Sequence, residues 1–215
     1  MRDTAEKPSL DPLSRCSEAI FGLLMALSFT GAVTIASEGE DWIRQVIVAA
    51  LTCNIAWGLT DAAMYLLSAR IERGRRKRVN REVMAATPEQ AIELARAEFA
   101  DWANVDLSDQ QIAQMIAMMR AAHVAPDRAA LLRDDLKAAV AVFFTVVLAT
   151  FPPILPLLLV GDPERALRLS NLVSVLFLVF LGAILDRQVG ARLRYALIMP
   201  LVGAALVAII VALGG

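Results

Sequence analysis

The chain has 215 residues, 58% of them hydrophobic, and a formal net charge of −1; its mean hydropathy is +0.58. That level is high for a water-soluble domain, and the apolar residues come in long blocks rather than alternating. Cys16 and Cys53 are the only cysteines, which implies neither a disulfide framework nor a thiolate metal site.

Five apolar blocks mark the chain: 19–36, 46–69, 138–160, 169–185 and 195–213. About twenty apolar residues suffice to span a bilayer. The expected fold is therefore all-α: a polytopic membrane protein with five transmembrane helices. Residues 1–17, with mixed charges and two prolines, are expected to be a flexible cytoplasmic tail. The acids that precede the first block, Asp3, Glu6, Asp11 and Glu18, argue for a retained membrane helix rather than a signal peptide. Glu18 stands at the mouth of that helix, where one reading is a solvated carboxylate favoured by the helix dipole.

The second block carries the most chemistry. Asp61 is an ionisable side chain inside an apolar span, and a carboxylate at that depth costs ~3 kcal/mol on insertion scales. Asn54, Asp61, Met64, Tyr65 and Ser68 fall at i, i+7, i+10, i+11 and i+14, which is one helical stripe. Lipid cannot satisfy polar groups, so the stripe should face other helices or a water-filled path. Gly58 permits close helix approach. The other reading of Asp61 is a structural hydrogen-bonding group. Arg70, Arg73, Arg75, Arg76, Lys77, Arg78 and Arg81 follow at once, and this cationic run marks the cytoplasmic side. Anionic lipid and topology account for it better than nucleic acid does. The expected location is a plasma (inner) membrane, with the N-terminus inside.

Residues 70–137 read as a cytoplasmic three-helix insert between transmembrane pairs 18–69 and the three helices of 138–215. Thr87-Pro88-Glu89-Gln90 and Ser108-Asp109-Gln110-Gln111 are helix starts of the capping-box type. Ile92, Ala95, Phe99 and Trp102 give the first helix an apolar stripe, and Ile112, Met115, Ile116 and Met119 give one to the second. Ala125-Pro126-Asp127 is expected to start the third. On the first helix Glu89 lies near Glu93, and Glu98 near Asp101. One such pair is a weak cation site, so a strong one needs oxygens from the third helix, which is expected to run through Asp134 and Asp135, or from a second subunit. The alternative is a solvated helix face. His123, the only histidine, reads as a helix-end or packing residue. No zinc-protease helix, phosphate-binding loop or nucleophile elbow occurs, so no enzyme is expected.

In the third block Pro152, Pro153 and Pro156 break the helical ladder. The fourth opens with the polar residues Ser170, Asn171 and Ser174 and closes at Gly182 and Asp186. Three arginines between 187 and 194 place that linker in the cytoplasm, so the C-terminus lies outside.

This order resembles the vacuolar iron transporter family of metal/proton antiporters. Gly58-Leu59-Thr60-Asp61-Ala62-Ala63-Met64-Tyr65-Leu66-Leu67-Ser68 is similar to that family's G-x-x-S-M-A-x-G-E-Y-x-S segment, one residue shorter. The stretch 143–157 resembles its F-x-x-G-x-x-P-L-L-P segment, with Pro153 and Pro156 on the two prolines. The resemblance implies a homodimer that exports Fe²⁺ or Mn²⁺ in exchange for protons, with no resident cofactor. It puts Glu18 in the role of the first-helix acid and Met64, with Asp61 one turn away, in that of the second-helix glutamate. Glu98 and Asp101 keep the spacing of one of the family's insert acid pairs, and Thr87 and Gln90 stand near where the other would be; its M-M-x-E-E segment corresponds either to Leu131-Leu132-Arg133-Asp134-Asp135, without the methionines, or to Met118-Met119, without the acids. The depleted insert also admits a non-transporting scaffold or regulator of the same fold, with the insert as a docking module.

Overall fold

A computed structural model describes residues 12–36, 42–102, 107–121 and 133–214. Among them every element is an α-helix: α1 Pro12–Ala36, α2 Trp42–Ala85, α3 Pro88–Trp102, α4 Asp109–Ala121, α5 Arg133–Leu148, α6 Phe151–Leu159, α7 Pro163–Val189 and α8 Arg194–Gly214. Among the described residues three stretches are long and apolar enough to cross a membrane: Trp42–Ala85, Arg133–Leu159 and Pro163–Val189. These stretches mark a membrane protein. Their outward faces carry Leu59, Leu158, Leu159, Leu172, Leu176 and Phe180, all exposed. Large apolar side chains exposed on helices of this length have hydrocarbon as their matching solvent.

The helices form two compact units, residues 1–65 with 133–215, and residues 66–132. In the first, Cys16, Ile20, Leu23, Leu27, Ala149, Leu178 and Leu181 make the main buried cluster. At Gly22 a side chain would clash with α5, and at Gly58 it would be tightly crowded. An added Cβ would come within 2.8 Å of the Val146 carbonyl oxygen at Gly22 and 3.1 Å of that of Phe143 at Gly58. Both glycines thus bring their helices close to α5.

The proline-rich stretch breaks where its chemistry requires. Pro152 and Pro153 have no N–H to continue the α5 ladder, so the helix ends at Leu148, turns at Ala149–Thr150, and restarts as α6. The Ser170 hydroxyl donates to the Pro153 carbonyl at 2.6 Å, and that of Ser174 to the Ser170 carbonyl at 2.8 Å. Two of the three polar residues that open the fourth apolar block, now two turns into α7, are thereby buried in helix contacts, and Asn171 is exposed. Asp162 caps α7 by accepting from the Arg165 N–H at 2.8 Å, and Gly190, with φ of 69°, ends it.

Both capping boxes of the second unit are present. Thr87 and Gln90 exchange backbone-to-side-chain bonds at 3.4 Å, and Ser108 N donates to Gln111 Oε1 at 2.9 Å. Val83, Ala91, Ala95, Ile112 and Ile116 form its core. An Arg96–Asp109 ion pair ties α3 to α4. Arg120 closes the end of α2, donating to the carbonyls of Val83 and Ala86 at 3.3 and 3.2 Å.

Two boundaries differ from the sequence-based expectation. Helix α1 begins at Pro12, so residues 12–17 of the expected tail are helical and Glu18 lies in the second turn, past the reach of the terminal dipole. Helix α2 does not stop with the apolar block; it runs through the cationic stretch to Ala85. Arginine and lysine are good helix formers, and Glu72 accepts from Arg75 and Arg76 at 3.0 and 2.9 Å, offsetting part of the repulsion. The expected start of a third insert helix, and His123, lie outside the described residues.

Candidate functional site

Glu18 on α1 and Asp61 on α2 are 43 positions apart in sequence, and the fold brings them to one cavity. The cavity has a volume of about 520 Å³ and is lined by Ser17, Glu18, Ile20, Phe21, Leu24, Asp61, Leu185 and Met199. Its walls come from α1, α2, α7 and α8. The two carboxyl groups are within hydrogen-bonding reach of each other. Asp61 Oδ2 is shielded from solvent and has no donor among the described residues. Two carboxylates so close repel strongly, and a proton or a cation between them relieves that repulsion. Chemically, the pair can hold either.

One turn away, Phe21 and Trp57 meet edge to face, with centroids 5.6 Å apart at 81°. Phe21 follows Glu18 by three residues and Trp57 precedes Asp61 by four, so each helix sends an aromatic and an acid to the same side. The ring pair is an apolar boundary next to the acids, and Met199 adds the one thioether on the cavity wall.

Asn54 sits two turns before Asp61 and is fully buried. Its Nδ2 donates to the Gly22 carbonyl at 2.8 Å and to Thr150 Oγ1 at 2.6 Å, so one amide joins α1, α2 and the turn before α6. It is not among the residues that line the acid cavity. Met64 is exposed, and Tyr65 packs against Ala138 and Val142 rather than on the cavity wall. Of the five residues expected on a translocation path, the fold gathers Glu18 and Asp61 alone into that wall.

The acids expected to hold metal fall on two elements, α3 and α5. Glu89 and Glu93 are exposed on α3. Glu98 and Asp101 fall on the same helix, their side chains outside the described part. Asp134 is exposed and paired with Lys137 at 2.8 Å, whereas Asp135 is fully buried. Among the described residues no group of three or more histidine, cysteine, aspartate or glutamate side chains is arranged to hold a metal ion.

Sequence reading missed Ser17, Leu185 and Met199 in the cavity and the work of Asp186. The Asp186 carboxylate accepts from the N–H groups of Tyr195 and Ala196, both at 3.0 Å, and so caps α8 from the last turn of α7. An acid eight residues ahead of a helix start was the available signal for that cap. For Met199 there was none beyond its being a thioether in an apolar block. No protein-family model matches the chain, and no curated protein matches it.

Proposed function

We propose that the protein is a membrane carrier that exports a divalent cation, Fe²⁺ or Mn²⁺, in exchange for protons. In this reading α1, α2, α5 with α6, α7 and α8 are five spans of a plasma-membrane homodimer. The N-terminus and the unit around α3 and α4 face the cytoplasm, and the C-terminus faces outside. One observation carries the proposal: Glu18 and Asp61, from two different apolar helices, share one cavity within hydrogen-bonding reach. A carboxyl pair can release a proton as it takes up a cation and bind the proton again when the cation leaves. That alternation is the chemical core of antiport.

Flux of Fe²⁺ and Mn²⁺ into proteoliposomes under an imposed proton gradient tests it. Wild type should transport, and Asp61→Ala should abolish transport while the protein stays monodisperse. Glu18→Gln should weaken the coupling between ion and proton. A folded wild-type protein that moves neither ion would leave the non-transporting scaffold as the better reading.

A further inference from the structure

The seven cations that follow the second apolar block differ in their partners along α2. Glu72 accepts from Arg75 and Arg76, at 3.0 and 2.9 Å, and Arg78 pairs with Glu82 at 3.8 Å. Arg73 is engaged as well. Arg70, Lys77 and Arg81 have no acidic partner among the described residues. At about 100° per residue, Arg70, Gly74, Lys77 and Arg81 fall within about 60° of one another, on the side opposite Glu72, Arg75 and Arg76.

Gly74, in the middle of this face, adds a second observation. Glycine is among the weakest helix formers, and it stands here inside a 44-residue helix. Packing does not explain it, because a Cβ at that position would meet nothing within 4 Å. The missing side chain leaves a bare patch of helix, with Arg70 about 6 Å to one side along the axis and Lys77 about 4.5 Å to the other. A phosphate placed over Gly74 would lie between a guanidinium and an ammonium, and both are free to bind it.

We infer that this face is a binding site for the headgroup of an anionic phospholipid, seated over Gly74 between Arg70 and Lys77. The occupant follows from charge and position. Arg70 comes one residue after the apolar block 46–69, and the polar layer of a bilayer is about 5–7 Å deep on each side. Long arginine and lysine side chains reach back towards that layer. Arg81 lies about 16 Å beyond Arg70 along the axis, well past the ~8 Å screening length at physiological salt. It therefore contributes least.

Native mass spectrometry of the full-length protein in detergent, titrated with phosphatidylglycerol and with phosphatidylcholine, tests the site. Each cation close to the surface is worth roughly fivefold in affinity. Wild type should prefer phosphatidylglycerol, and R70Q/K77Q should lower its affinity for that lipid by roughly 25-fold. R75Q/R76Q, which removes the same charge from the tied face, should change it by less than about twofold. G74W should block the seat and G74A should not, with helix content checked by circular dichroism for each variant. Equal losses in the two double variants would reduce the effect to net charge and overturn the site. Displacement of the lipid by millimolar inorganic phosphate would assign the seat to a soluble anion and overturn the lipid assignment.

Discussion

Glu72 is held between two arginines of its own helix, and their hydrogen bonds push its pKa below the usual carboxylate value. A group depressed in the folded state adds stability above its unfolded pKa, and that stability fades as pH falls through the folded value. The helical end of α2 should therefore loosen on acidification below about pH 4.5. Glu72→Gln should flatten that dependence, and amide exchange along 70–85 as a function of pH would show it. At the same scale Asn54 tests the interior: Asn54→Ala removes both bonds to Gly22 and Thr150 and should cost about 1–3 kcal/mol. Thr150→Val removes only one and should cost less, as read from unfolding in mixed micelles. Asn54 was legible as a polar group turned towards other helices. Its partners were not, because nothing local in sequence links residue 54 to a carbonyl at 22 and a hydroxyl at 150.

Helix by helix, the contact between α7 and α8 has the tightest tolerance. A Cβ on Gly182 would stand 2.4 Å from the Tyr195 carbonyl oxygen, so Gly182→Ala must push the two helices apart. Overpacking of this kind costs about 1–3 kcal/mol. It would also stretch the bonds from Tyr195 and Ala196 to Asp186, and Asp186→Ala alone should cost about 1–2 kcal/mol through the lost cap. Thermal unfolding in detergent, with both single variants and the double, would show the two effects to be coupled rather than additive. The helix starts at Thr87 and Ser108 were readable because a capping box is a local pattern of four residues. The break after Leu148 was readable because proline chemistry is local too. The extension of α2 to Ala85 was not, since a dense cationic run looks like the end of a span until Glu72 is seen bonded to two of its members.

On the scale of the whole molecule, the division into two units sets where damage spreads. Ile112 lies at the centre of the small core of residues 66–132, and Ile112→Ala should cost that unit about 2–5 kcal/mol. Hydrogen exchange should then rise across α3 and α4 while α7 and α8 keep their protection. The apolar blocks were legible because composition alone sets them apart. The cavity was not, because it needs α1, α2, α7 and α8 assembled before any of its residues are neighbours. Asn54, tied to the Gly22 carbonyl, acts on that assembly as a pin through a pair of scissors. Glu18 lies about 6 Å from the pin along α1, and Asp61 about 10 Å from it along α2. The arms are unequal, so any angle opened between α1 and α2 at that joint would displace Asp61 more than Glu18.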